Sequence, residues 1–174
     1  MIMNNKTKPG ARRSFKQHAI EFAGKPITYV EIGLWVGACA EWVCQNILTH
    51  PQSIGYGIDP FIGRLDMQNF VIQRMEPYRF IIYSNYSWNI LRNWKGPLID
   101  LLYIDGDHTA IGALTDWVTT WPWLRVGAGI ILDDYTPRVP GVIQAVAAIR
   151  EVYGDKIIPW GRQGYQVAFR KIEE

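Results

Sequence analysis

Two short stretches of the chain place acidic side chains directly after apolar runs. Asp105-Gly-Asp-His108 follows the run 101–104, and Asp133-Asp134 follows the run 129–132. Continuous apolar runs of this length are typical of parallel strands buried on both faces. The carboxyl ends of such strands meet at one edge of an open sheet, where ligands bind. We therefore expect one site to contain Asp105, Asp107, His108, Asp133 and Asp134.

These groups are compatible with several kinds of chemistry. His108 is a candidate general base for a substrate hydroxyl, because an unperturbed histidine has a pKa near neutrality; a hydrogen bond to the backbone is the alternative. Crowded carboxylates repel one another unless a cation or hydrogen-bond donors compensate, so a metal ion is one interpretation. Capping of the following helix or turn by Asp107 or Asp133 is the other.

A glycine-rich turn, Glu31-Ile-Gly33-Leu-Trp-Val-Gly37, follows the first apolar strand. Glycines let a ligand approach the backbone, and the N–H groups of the next helix favour negative charge. Trp35 stands where a dinucleotide fingerprint has its second glycine, which disfavours a dinucleotide and leaves a smaller nucleoside-like ligand. A tight turn without a ligand is the alternative interpretation.

Asp59 ends the second predicted strand, about twenty residues after the glycine turn. An acidic side chain at this place can accept hydrogen bonds from ribose hydroxyls. The alternative is a turn initiated by Asp59-Pro60. With the glycine turn before it, we favour ribose binding.

Strands and helices alternate along the chain. Strands are predicted at 27–32, 53–58, 79–83, 101–104, 129–132, 156–160 and 165–170. Helices are predicted at 14–22, 37–48, 65–75, 89–94, 109–124 and 141–153, with Ile111, Leu114, Val118 and Trp121 on one stripe of the fifth. This order predicts an α/β fold, a doubly wound, Rossmann-like and mostly parallel seven-stranded sheet with a C-terminal antiparallel hairpin and helices on both faces.

Length and composition indicate one domain over residues 1–174, with a flexible basic leader at 1–13. A net charge of +2 is too small to indicate nucleic acid as a partner. No apolar run approaches the roughly 18 residues of a membrane span, so a cytoplasmic protein is expected. Cys39 and Cys44, five residues apart on a predicted helix, are expected to be reduced.

The eight tryptophans and three histidines need separate interpretations. Trp35 is expected to contact the ligand, because it lies inside the glycine turn. His18 and His50 are expected at the surface without a role. Five other tryptophans are expected in the core or in an interface, and the surplus of tryptophans is compatible with a homodimer. These five are Trp88, Trp94, Trp117, Trp121 and Trp123.

Four motifs in this order resemble those of class I S-adenosylmethionine-dependent methyltransferases. They are Glu31-Ile-Gly-Leu-Trp-Val-Gly37, Ile58-Asp59, Tyr103-Ile-Asp-Gly-Asp-His108 and Ile131-Leu-Asp-Asp-Tyr135. Within that superfamily the chain is most similar to the methyltransferase-24-type and macrocin O-methyltransferase families. The resemblance covers approximately residues 28–150.

The resemblance implies S-adenosylmethionine as the cofactor. Its amino acid portion would lie against Glu31 and the turn from Gly33 through Trp35 to Gly37, its ribose against Asp59, and its adenine beside 85–87, including Ser87. Relatives often have an acidic residue in this last loop, where the chain has Tyr86.

The resemblance also implies roles for the acidic residues that follow the fourth and fifth predicted strands. Asp105 would contact the cofactor and act with His108 in catalysis. Macrocin-type relatives bind a magnesium ion through residues that match Asp105, Asp133 and Asp134, and such an ion lowers the pKa of a substrate hydroxyl.

The sequence thus predicts methyl transfer from S-adenosylmethionine to an oxygen of a small hydroxylated or sugar-type acceptor, and assistance by Mg²⁺ is one interpretation of the acidic residues. One alternative is a non-catalytic nucleoside-binding module of the same fold. Another is a metal-dependent hydrolase that uses the same carboxylates.

Overall fold

A computed structural model describes residues 18–174 of the chain. The predicted basic leader and the first part of the predicted helix 14–22 lie outside the described residues. In the rest of that predicted helix, residues 18–19 are helical and a short 3-10 turn, Ile20–Phe22, follows.

Seven strands form one sheet in the order β3-β2-β1-β4-β5-β7-β6. The first five strands pair in parallel, whereas β7 is antiparallel to both of its neighbours. The strands are β1 Thr28–Ile32, β2 Ile54–Ile58, β3 Phe80–Tyr83, β4 Ile99–Ile104, β5 Leu124–Leu132, β6 Ile157–Gln163 and β7 Gln166–Lys171. This topology confirms the predicted mostly parallel sheet with a C-terminal antiparallel hairpin.

Within residues 20–174, five α-helices connect or flank these strands: α1 Ala38–Asn46, α2 Leu65–Met75, α3 Ser87–Leu91, α4 Ala110–Thr120 and α5 Pro140–Tyr153. The central strands are buried on both sides, because their side chains alternate between two apolar clusters. On one side, Val30 and Leu102 pack in a cluster with residues of α3, α4 and α5. On the other, Tyr29 and Leu101 share a cluster with residues of α1, and α2 packs in a neighbouring cluster.

The fifth predicted helix and the fifth predicted strand had the wrong boundary. The helix α4 ends at Thr120, a 3-10 turn covers Trp121–Trp123, and β5 begins at Leu124 rather than at residue 129. Pro122 lacks the backbone N–H that would continue an α-helix. The first part of β5 carries exposed residues, including Arg125 and Val126, so the sequence has no apolar run there.

The predicted apolar stripe was wrong at two of its four positions, because Leu114 and Trp121 pack against the core whereas Ile111 and Val118 are exposed. Ile111 is 80% exposed and Val118 is 46% exposed. The buried positions are instead Ala113, Asp116, Trp117 and Thr120. These have the same helical spacing but carry two polar side chains.

Three smaller predictions can be compared directly with the structure. His18 is buried rather than at the surface, because its ring packs 5.3 Å from the Trp160 ring. Cys39 and Cys44 are both free, as expected. Between residues 18 and 174, no helix combines the length and the apolar character needed to cross a bilayer.

Candidate active site

The predicted site residues follow four adjacent strands at the same edge of the sheet. The last residues of these strands pair with one another and are Ile32, Ile58, Ile104 and Leu132. The next residues along the chain are Gly33, Asp59, Asp105 and Asp133. The sheet order reverses between β1 and β4, and this is where open α/β sheets form their ligand crevice.

Gly33 brings the first turn into contact with the end of β4. Its φ is +88°, and a Cβ atom at this position would lie 2.0 Å from the carbonyl oxygen of Asp105. Trp35 also has a positive φ, 46°, and its side chain is 56% exposed. The glycine is therefore required by the close approach of two backbones, and Trp35 remains half exposed beside it.

Asp59 holds the glycine turn in place. Its Oδ2 accepts hydrogen bonds from the backbone N–H groups of Leu34 (2.9 Å) and Trp35 (3.0 Å), and its Oδ1 accepts one from Phe61 (2.8 Å). The contact with Phe61 is the aspartate-initiated turn that the sequence offered as an alternative. A carboxylate has about four acceptor positions, so one remains for a ligand hydroxyl.

A cavity of about 740 Å³ opens between the glycine turn, Asp59 and α4. Tyr86 and Trp88 line one side, with their rings stacked 5.8 Å apart and tilted by 23°. Trp88, which we expected in the core or an interface, is 39% exposed at this cavity. Ser87, predicted beside adenine, also lines it.

Asp116 is a cavity residue that the sequence analysis missed. It is 3% exposed, and it accepts a hydrogen bond from the Ser87 hydroxyl. Burial raises the pKa of Asp116 to about 6, although the bond from Ser87 opposes this. Asp116 lies three residues after Ala113 and four before Thr120, on the face that α4 buries, but no apolar pattern in the sequence marks this face.

A second cavity of about 340 Å³ adjoins the first. Gly33, Trp35 and Asp105 line both cavities. The smaller cavity also contains the acidic groups Glu31, Asp133 and Asp134, together with His108. This concentration of carboxyl groups suits a cationic part of a ligand.

Glu31 is the most deeply buried of these acids, at 1% exposed. Its Oε2 accepts a hydrogen bond of 2.6 Å from the Tyr29 hydroxyl. Burial raises the pKa of Glu31 to about 8, and the nearby Asp105 adds to this, whereas hydrogen bonds from Tyr29 and Cys39 lower it. An ammonium group in the cavity would stabilise the carboxylate form.

His108 lies between two carboxylates. Its Nε2 is 3.2 Å from Asp105 Oδ1, and its Nδ1 is 3.5 Å from Asp134 Oδ2. The hydrogen bond with Asp105 raises the pKa of His108 above its ordinary 6.5, against partial burial. Burial raises the pKa of Asp105 to about 6. The ring therefore contacts side-chain carboxylates, not the backbone partner offered as an alternative.

Asp133 and Asp107 have local partners. Asp133 accepts hydrogen bonds from the Tyr103 hydroxyl and from the backbone N–H of Asp134 (2.8 Å). Asp107 accepts one from the backbone N–H of Thr109 (2.9 Å), just before α4. The turn-capping interpretation thus describes the contacts that both residues make.

Among the described residues, one three-residue group has ligand atoms spaced for a metal ion. Asp105, His108 and Asp134 each offer one atom within 4.8 Å of the others. Asp133, which was predicted as a ligand, is not in this group. The donor set is therefore two carboxylates and an imidazole.

Comparison with solved structures places this architecture in a known class. An O-methyltransferase from Bacillus cereus in complex with S-adenosylhomocysteine has a TM-score of 0.72 at 17% identity, over 95% of this chain and 83% of that one. The MycE methyltransferase of the mycinamycin biosynthetic pathway, in complex with Mg and S-adenosylhomocysteine, has a TM-score of 0.66 at 16% identity, over 92% and 49%. An rRNA methylase from Streptococcus thermophilus has a TM-score of 0.68 at 11% identity, over 97% and 99%. The fold is that of class I methyltransferases.

The sequence identifies the family as well. Residues 30–135, which are more than half of the chain, match a methyltransferase domain family. The chain belongs to this family. The protein is an S-adenosylmethionine-dependent methyltransferase. No curated protein matches the sequence.

Proposed function

We propose that the protein transfers the methyl group of S-adenosylmethionine to a hydroxyl oxygen of a small acceptor. The observation that carries this proposal is the position of His108. It lies between two carboxylates in a cavity that adjoins one of nucleoside size. A proton acceptor beside the reacting centre is what a hydroxyl nucleophile needs.

The adenosyl group of the cofactor occupies the larger cavity in this proposal, with its ribose on the free acceptor position of Asp59. The amino acid portion lies in the smaller cavity against Glu31 and the glycine turn. This placement puts the cationic ammonium and sulfonium groups near the acidic residues. It also places the methyl group near Asp105, which lines both cavities.

The chemical step then joins the acceptor oxygen to the methyl carbon while the carbon–sulfur bond breaks. The products are the methyl ether and S-adenosylhomocysteine, and the hydroxyl proton passes to a ring nitrogen of His108. Catalysis of this kind depends mainly on holding the two reacting atoms close and in line. His108 must be neutral to accept the proton, so the reaction accelerates as the pH rises through its raised pKa.

A divalent cation is the alternative to His108 as the group that activates the hydroxyl, and the spacing of Asp105, His108 and Asp134 supports it. Carboxylates suit Mg²⁺, whereas an imidazole in the donor set also suits Mn²⁺ or Zn²⁺. When bound, such an ion lowers the pKa of a coordinated hydroxyl. In that case His108 is a ligand rather than the base.

A small acceptor fits this site better than RNA does. Asp105, Asp133 and Asp134 line the smaller cavity and repel phosphate groups. The net charge of +2 offers little compensating attraction. Sugars and other small hydroxylated molecules carry no such penalty.

A methyl-transfer assay tests the proposal. Purified protein and tritiated S-adenosylmethionine are incubated with separate panels of phenols, sugars, amines and RNA. We expect label only in products of the hydroxylated small molecules. Transfer to amines or RNA, with none to any hydroxylated small molecule, would contradict the proposal.

The role of His108 is tested with His108→Gln, and His50→Gln is the matched control because the site does not include His50. We expect a loss of roughly a hundredfold to ten-thousandfold in His108→Gln, and loss of the rate increase above pH 6.5. The control His50→Gln should keep both the wild-type rate and its increase with pH. A His108→Gln variant with the wild-type rate and pH profile would exclude His108 as the base.

A further inference from the structure

We infer, on the basis of the proposed placement of the adenosyl group in the larger cavity, that Asp116 recognises adenine by accepting a hydrogen bond from its six-amino group. Asp116 comes from the middle of α4, whereas the loop expected to contact adenine is 85–87. The structure thus assigns base recognition to a different element.

One oxygen of Asp116 is already positioned and the other has no partner. Oδ1 accepts the hydrogen bond from the Ser87 hydroxyl. Within residues 18–174, Oδ2 accepts none. Oδ2 is not one of the fully enclosed polar atoms without a partner, so it faces the cavity, where a donor on a bound ligand can reach it.

The space next to this oxygen is kept open by a glycine. A Cβ atom added to Gly106 would lie 3.1 Å from Asp116 Oδ2. Gly106 lines the same cavity, as do Ser87 and Asp116. The absence of a side chain at residue 106 therefore leaves Oδ2 accessible to a flat ring.

The other carboxylates of the larger cavity are less suited to this contact. Asp59 uses both of its oxygens on the backbone at the ribose end, and Asp107 accepts from Thr109. Asp105 contacts His108, which lines the smaller cavity. The loop 85–87 has Tyr86 instead of an acidic residue. Asp116 is thus the carboxyl group that Ser87 holds in place and whose second oxygen faces the cavity without a donor from residues 18–174.

Adenine matches this acceptor, whereas hypoxanthine does not. Adenine carries an amino donor at position six, whereas hypoxanthine carries an oxygen acceptor there, which a carboxylate repels. Burial raises the pKa of Asp116 to about 6. At about pH 8 the group is mainly a carboxylate and can only accept.

The test is calorimetric titration at about pH 8 with S-adenosylhomocysteine, its S-inosyl analogue and the analogue that lacks the six-amino group. In wild type we expect S-adenosylhomocysteine to bind about 10- to 100-fold more tightly than either analogue, the range for one well-placed polar contact to a base. In Asp116→Asn, which can rotate its amide to donate or accept, we expect the preference over the inosyl analogue to shrink to about threefold. Asp66→Asn, an exposed change on α2, should keep the wild-type preference.

The outcomes separate this inference from the proposed function. Equal binding of all three ligands by wild type, or an unchanged preference in Asp116→Asn, would overturn the role of Asp116 and leave methyl transfer intact. If Asp116→Asn does not fold, Ser87→Ala replaces it, because it removes the hydrogen bond that positions Asp116, and we expect the preference for adenine to shrink there as well. Absence of binding by all three ligands would overturn the inference together with the proposed cofactor placement.

Discussion

Replacing Glu31 with glutamine should stabilise the ligand-free protein in alkaline solution. Glu31 is 1% exposed, and its carboxylate form lacks solvent and lies near Asp105. Glutamine keeps the shape and can still accept the Tyr29 hydrogen bond, but it cannot ionise. The variant therefore removes the free-energy cost of ionising a buried acid and leaves the packing similar.

The magnitude follows from the shift in pKa. The pKa of Glu31 is raised from 4.5 in the unfolded chain to about 8 in the folded protein. Between these pH values the folded state binds more protons than the unfolded state, so the free energy of unfolding falls as the pH rises. Each pH unit in the window costs at most about 1.4 kcal/mol, and the full window costs at most about 5 kcal/mol. The free energy of unfolding of Glu31→Gln does not fall in this way, because glutamine cannot ionise.

Urea denaturation of both proteins at several values between about pH 5 and pH 8 measures this difference. We expect the stability advantage of Glu31→Gln to grow with pH and to level off above about pH 8. Glu76→Gln, an exposed change after α2, should show no such growth. A difference between Glu31→Gln and wild type that does not change with pH would refute the reasoning. The same variant should bind S-adenosylhomocysteine more weakly, because it lacks the anion proposed to face the ammonium group.

Two further predictions concern the turn and the proposed cation. Gly33→Ala should lose more than about 2 kcal/mol of stability in urea denaturation, because its Cβ would meet the Asp105 carbonyl at 2.0 Å. The control Gly63→Ala has a similar positive φ and no atom within 4 Å of its Cβ, so it should lose only about 1 kcal/mol. Equal losses would show that the backbone contact is unimportant. Titration with Mn²⁺ followed by electron paramagnetic resonance should show binding to wild type and weaker binding to Asp134→Asn, and failure of Mn²⁺ and Mg²⁺ to bind in calorimetry would remove the cation from the proposal.

The parallel part of the fold was predictable because its strands are buried on both faces. The runs 101–104 and 129–132 are continuously apolar, and the structure places both in adjacent central strands. The start of β5 was not predictable from the same signal. Arg125 and Val126 are exposed there, so burial left no apolar pattern to detect.

The positions of candidate site residues that directly follow strands could be predicted from the sequence. The position of a residue on a helix face could not. Gly33, Asp59 and Asp105 each follow the last residue of a paired strand, so the topology alone brings them together. Asp116 could not be found by apolar periodicity, because a buried acid on α4 contradicts that pattern. The contacts of His108 with both carboxylates likewise depend on side-chain directions that spacing does not give.

The central claim is that the glycine turn and Asp59, at the edge of the sheet, hold the nucleoside part of the cofactor. Calorimetric titration of the purified protein with S-adenosylhomocysteine tests it most directly. We expect one binding site in wild type and a loss of affinity of at least about tenfold in Asp59→Ala, since that change removes the ribose acceptor and frees the turn. Equal affinity of the two proteins, or no binding by wild type, would contradict the claim.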